Sequence, residues 1–296
     1  MKKLNLFFMV MAMLLMGAGF TACSDDDDDN GGAPDLGTPQ YEGVSGKYAI
    51  TAAGSPYESI ELGASGNYVV TLNYGGGYYA AASQTATSRA AEGGHKSLFN
   101  SGKAGAQTRS TQYGNVIYGT FTSLGDNEYS LEGFGRIRLD YTGGDVTGIE
   151  VTTQGNVPAT YTVRKEPTMG GDNMTNALCR TWRVEKVRDV ITDKETGRKR
   201  EETVTPENTG SYGTDLAEEV MFSKSGTYLV KFVDNTMGLA EWKWHNRGAG
   251  EMEYAWDGEW YGDYVTITFE GNKAVVYEMW DDEYEREEEW TYLTVK

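Results

Sequence analysis

With 296 residues, 39% of them hydrophobic, the chain is long enough to build two cores. Its formal net charge of −18 argues against a nucleic-acid-binding surface and against insertion among anionic headgroups. Two cysteines rule out a disulfide-stapled framework, while 38 glycines, 20 tyrosines and only 6 prolines suit antiparallel strands joined by tight turns.

The chain opens on Lys2 and Lys3, followed by an apolar run from Leu4 to about Phe20 that is too short to span a bilayer comfortably. The run ends in Phe20-Thr21-Ala22-Cys23, and then come Ser24, Asp25, Asp26, Asp27, Asp28 and Asp29. A basic start, an apolar middle and small residues before a cysteine make a lipoprotein export signal. The segment resembles the signals of Bacteroidetes surface lipoproteins. That resemblance implies cleavage before Cys23, acylation of Cys23, an export signal in Ser24–Asp29, and an outer-membrane anchor facing the cell exterior. Residues 1–22 are then a signal peptide and 23–40 a lipidated, acidic tether. Lipidation of Cys23 would leave Cys179 without a partner for a disulfide. The five aspartates lack the fixed loop that calcium requires, so they read as a solvated spacer.

Beyond Pro39 short alternating segments are separated by Gly, Asn, Asp and Ser. Leu62–Leu72 repeats as Phe222–Phe232, with a Ser-Gly turn before a tyrosine in both. Upstream, Gly46–Ile50 answers Arg180–Val184; downstream, Leu131-Glu132-Gly133 is matched to Phe269-Glu270-Gly271. The offsets place one insertion in a loop near 73–113 and another around Thr192–Thr214, a hairpin turning at Glu195-Thr196-Gly197. The linker composition of Glu166–Asn173 divides the chain into modules 41–166 and 174–296. About eight strand segments in each predict an all-β protein of two tandem antiparallel up-and-down barrels, with a two-sheet sandwich as the alternative. Gly119-Thr120-Phe121, Glu128–Gly135, Thr181-Trp182 and Gly226-Thr227-Tyr228 resemble the lipocalin-like modules of Bacteroidetes lipoproteins. This likeness implies a fold and no particular ligand.

Chemistry is thin. There are only 2 histidines: His95 in the low-complexity loop, and His245 in an expected turn. No nucleophile elbow, phosphate loop or zinc motif occurs, so no catalytic, cofactor or metal residue is assigned. The carboxylates Glu251, Glu253, Asp257, Glu259 and Asp263 alternate with aromatics as outward strand positions do, which leaves a carboxylate-dependent hydrolase a minor reading. The acidic stretch Asp281–Glu289 reads as a hairpin tip. Aromatics are the better lead. Trp242 and Trp244 share a strand face, as do Tyr254 and Trp256, and Trp260-Tyr261-Gly262 reads as a loop tip. Trp242, Trp244, Trp256, Trp260 and Tyr261 are therefore candidate ligand contacts if exposed, and barrel filling if not. The expectation is a monomeric, non-catalytic surface lipoprotein, membrane-associated through its lipid alone, that binds a glycan, lipid or peptide. The alternative is an accessory subunit docking an envelope protein, for which the loop's Arg89, Lys96, Lys103 and Arg109 would supply a basic arm.

Overall fold

The computed structural model describes residues 33–73, 115–153, 155–256, 260, 262 and 264–296. Cys23, the Ser24–Asp29 run, Tyr261, and all but Asn73 of the 73–113 loop lie outside them.

Eight antiparallel strands close into the first barrel: β1 (Gly46–Ile50), β2 (Tyr57–Leu62), β3 (Asn67–Leu72), β4 (Val116–Gly125), β5 (Glu128–Leu131), β6 (Gly135–Thr142), β7 (Asp145–Thr153) and β8 (Ala159–Lys165). Each strand pairs with its sequence neighbour, and β1 closes on β8 with Tyr48 opposite Lys165. Closure removes the edges that a sandwich would leave. The second unit contains β9 (Thr181–Asp193), β10 (Lys199–Val204), β11 (Ala217–Phe222), β12 (Thr227–Phe232), β13 (Met237–Asn246), β14 (Glu251–Ala255), β15 (Tyr264–Glu270), β16 (Lys273–Asp281) and β17 (Glu285–Val295). Here β9 meets β11 over Thr181–Arg183 and β17 over Trp182–Asp193, which closes a second eight-stranded barrel. The ninth strand, β10, hangs on the upper half of β9. It is the Thr192–Thr214 insertion, and its hairpin turns through Gly197 at φ +69°.

The repeated hairpin is the same object twice. Gly63 N–H donates to Asn67 O at 2.7 Å, as Ser223 N–H does to Thr227 O at 2.9 Å. Gly66 and Gly226 sit at φ +90° and +82°, a region where a Cβ is strained. Their carbonyls accept from Phe121 and Trp242, which fixes those two residues as equivalents. The third sequence match is corrected by strand order. Leu131-Glu132-Gly133 joins the fifth and sixth strands of its barrel, whereas Phe269-Glu270-Gly271 joins the sixth and seventh of the other. The true counterpart of Gly271 is Gly143, with Thr142 opposite Asp145 as Glu270 is opposite Lys273.

Two further details differ from expectation. The linker ends in a short helix, Asn173–Leu178, whose N-cap Asp172 accepts from Thr175 N–H at 3.0 Å. Cys179 caps its other end, buried at the base of the second barrel. The acidic tip is only Asp282–Tyr284; Glu285–Glu289 belong to β17, because long β9 pairs with them on the far side. Glu289 points inward and is 2% exposed, accepting from the Tyr212 hydroxyl at 2.7 Å.

Both interiors are filled. Tyr48, Ile60, Tyr68, Phe121, Leu131 and Ile137 pack the first; Trp182, Phe222, Tyr228, Phe232, Trp242 and Trp256 pack the second. Between the barrels lies a seam of equivalent outer faces. Val69, Val116 and Tyr118 meet Met221, Leu229 and Leu239, and Val69/Leu229 and Tyr118/Leu239 are counterparts in the repeat. This is a pseudo-two-fold, self-complementary contact. Polar links tie its margin: Thr181 Oγ1 donates to Asn67 Oδ1 at 2.7 Å, Tyr118 donates to Glu219, and Lys224 pairs with Glu42. Glu61, 2% exposed, takes hydrogen bonds from Ser223 and Thr227, and burial pushes its carboxyl pKa up.

Candidate binding face on the second barrel

The tryptophans divide by burial. Trp242 is 2% exposed and Trp256 4%. Trp242 donates its indole N–H to Ser223 O at 2.9 Å, and its ring stands edge-on to Phe222 at 5.8 Å. Trp256 packs edge-on to Tyr228 at 5.8 Å. As ligand contacts these two are therefore corrected to barrel filling, because a small barrel needs large side chains inside. Trp244 does share the inner face with Trp242, and donates to Thr175 Oγ1 of the short helix at 2.9 Å, so it plugs the barrel base. Trp260 alone among the described candidates presents an exposed ring.

Around Trp260 the outer face of β13, β14 and β15 carries a compact row. Lys243 stands opposite Glu253, and Glu253 opposite Tyr264. Alternation along the strands turns all three outward while Trp242, Met252 and Val265 turn in. Between Trp244 and Asn246 the register slips by one residue. His245 is two residues from Lys243 on β13, so alternation puts it on the same outer face, at the edge of the bulge. Its ring then stacks on Tyr264, with centroids 4.8 Å apart and planes 9° apart. His245 Nδ1 lies 2.6 Å from Glu253 Oε1, and Lys243 Nζ lies 3.0 Å from Oε2. The Lys243 ammonium also sits 4.1 Å from the Trp260 ring centre.

The hydrogen bonds from His245 and then Lys243 hold the Glu253 carboxyl below its usual range. It is thus ionised at neutral pH and unsuited to general-acid work. Among the described residues no group of three or more histidine, cysteine or carboxylate side chains converges to hold a metal ion. What the row offers is two exposed aromatic rings at its ends and a pre-arranged acceptor and donors between them. A second ladder, on β9, β16 and β17, differs. There Arg188 caps Trp290 at 4.7 Å and Lys186 caps Tyr292 at 4.4 Å, and both rings are half-buried.

The sequence pointed to Trp260 and named His245 and Glu253, but did not join them. The joining element is the cross-strand register of β13, β14 and β15, which leaves no mark in composition. No family model, curated protein or solved structure matches the chain.

Proposed function

We propose that this is a non-catalytic surface lipoprotein, anchored through Cys23 in the outer membrane and facing the cell exterior, that binds a glycan on the outer face of β13–β15. The observation that carries the reading is the row Trp260–Lys243–Glu253–His245–Tyr264, with Trp260 37% and Tyr264 47% exposed. Sugar rings stack on aromatic faces and exchange hydrogen bonds with charged neighbours, and this row supplies both. Filled interiors weigh against a lipid carried inside either barrel. Glu253 is ionised and engaged by His245 and Lys243, which weighs against its serving as the general acid of glycoside hydrolysis.

A titration of the full chain against a panel of neutral and acidic oligosaccharides tests the reading. Trp260→Ala and Tyr264→Ala should each weaken the best ligand at least about tenfold, while Trp290→Ala leaves it unchanged. Binding that ignores Trp260 and Tyr264 would remove the assignment. The anchor has its own test. Cys23→Ser should move the protein from the membrane fraction to the soluble one, and persistence in the membrane would refute lipidation at Cys23.

A second reading, an accessory subunit that docks another envelope protein, is favoured by the β9–β10 arm.

A further inference from the structure

The second barrel carries an arm that has no counterpart among the described residues of the first. Among the described residues strand β10 pairs with β9 alone and stands at the end of its sheet, which leaves its other side as an open strand edge. β9 leaves β11 after Arg183, so the arm rises above the barrel wall rather than lying on it. Gly210 and Ser211 approach Glu202 and Val204, with Ser211 N–H donating to Glu202 at 2.9 Å. The open stretch is Arg198–Glu201.

That stretch concentrates positive charge. Arg198, Lys199 and Arg200 are all exposed, and among the described residues none has a carboxylate within 4.0 Å. By contrast Lys194 of the same hairpin is held by Asp281, Arg188 by Glu201, Lys243 by Glu253, Lys273 by Glu185 and Arg247 by Asp172. Three adjacent unneutralised cations are unusual in a chain of net charge −18. Nearby acids are Asp193, which feels Arg198, and Glu201, which feels Lys199. The acidic β16–β17 tip lies beyond β9, two strand spacings or roughly 10 Å from β10. Lys199 and Arg200, consecutive on β10, point to opposite faces of the sheet and so flank the open edge on both sides.

We propose that the Arg198–Glu201 edge binds an extended acidic peptide segment of another protein by strand addition. This deepens the accessory-subunit reading and is independent of the glycan site. An open edge supplies main-chain donors and acceptors that match a peptide backbone, and the cations select acidic side chains. Arg180, at the foot of β9, holds the Gly37 carbonyl, so Gly37 lies at the opposite end of the barrel from this edge.

The test is fluorescence anisotropy on the full chain with three probes: a labelled peptide of alternating Glu and Thr, the same peptide N-methylated on alternate amides, and labelled polygalacturonate. The expected result is saturable binding of the unmodified peptide, at least about tenfold weaker to R198E/K199E/R200E and about threefold weaker when salt rises from ~0.05 to ~0.5 M. The N-methylated peptide should bind at least about tenfold more weakly, because its edge donors are gone. The variant's far-UV circular dichroism should match the parent, and Lys199→Ala with Arg200→Ala gives a milder check. Equal binding of both peptides, preference for polygalacturonate, indifference to charge reversal or absence of binding would each overturn the proposal.

Discussion

Truncating Trp242 to alanine separates a core tryptophan from a contact tryptophan. The ring is 2% exposed and lies against Phe222 and Trp244, with centroids at 5.8 and 5.4 Å. A buried tryptophan removes about 200 Å² from water, or roughly 5 kcal/mol at 25 cal/mol per Å². Partial collapse of the cavity reduces this to about 3–5 kcal/mol. Loss of the 2.9 Å indole bond also leaves the Ser223 carbonyl buried without its donor, adding about 1 kcal/mol. Ser223 opens the repeated β11–β12 turn, so the damage should reach the seam. Urea melts followed by far-UV circular dichroism measure this without relying on tryptophan emission. Trp242→Ala should lose about 4–6 kcal/mol, and Trp260→Ala less than about 1 kcal/mol, with unchanged m values. A Trp242→Ala loss below about 1 kcal/mol, or a larger loss for Trp260→Ala, would refute the division into interior and exterior rings.

Other expectations follow from individual groups. Burial raises the Glu61 pKa above its unfolded value of 4.5, so the folded state holds its proton more tightly. Its stabilising contribution is complete below pH 4.5 and is lost as pH climbs through the raised value. Glu61→Gln should flatten that decline and raise stability at neutral pH, and chemical melts across pH 4–8 that leave the slope unchanged would contradict this. Glu253 has the opposite sign. Its depressed pKa contributes stability above 4.5 that is lost as pH falls through the lowered value. Glu253→Gln should blunt this acid loss, as melts below pH 5 would show. Gly226→Ala places a Cβ at φ +82° and 3.2 Å from Trp242 O, so it should cost about 1–2 kcal/mol. The same change at Gly43, where nothing lies within 4 Å and φ is not positive, should cost far less. Burial raises the Cys179 thiol pKa well above its ordinary value, so alkylating reagents should label it only on unfolding.

The barrels were readable in the sequence because their turns carry chemistry. Gly66 and Gly226 need positive φ, and each follows a serine and comes two residues before a tyrosine, so the repeat shows through low identity. The phrase Leu131-Glu132-Gly133 misled for the same reason. A strand ending in an acid and a glycine can close any hairpin of a meander, and only the pairing register tells the fifth hairpin from the sixth. The helix Asn173–Leu178 is too short to show a period, although Asp172 three residues before Thr175 is a capping pattern. Long β9 explains the misjudged acidic tip. Glu285–Glu289 look like a solvated turn until a partner strand on each side claims them. The binding face was half legible. Trp260 stood out as a loop aromatic, while its union with Lys243, His245, Glu253 and Tyr264 depends on cross-strand register.

The central claim is that binding happens on the outside of a filled barrel. Tryptophan indole signals in a ¹H–¹⁵N spectrum, followed during titration with the best oligosaccharide, test it most directly. The Trp260 indole should shift, together with the backbone amides of Lys243, His245 and Tyr264, while Trp182, Trp242 and Trp256 stay still. Shifts confined to Trp182, Trp242 and Trp256 would place the ligand inside the barrel and contradict it.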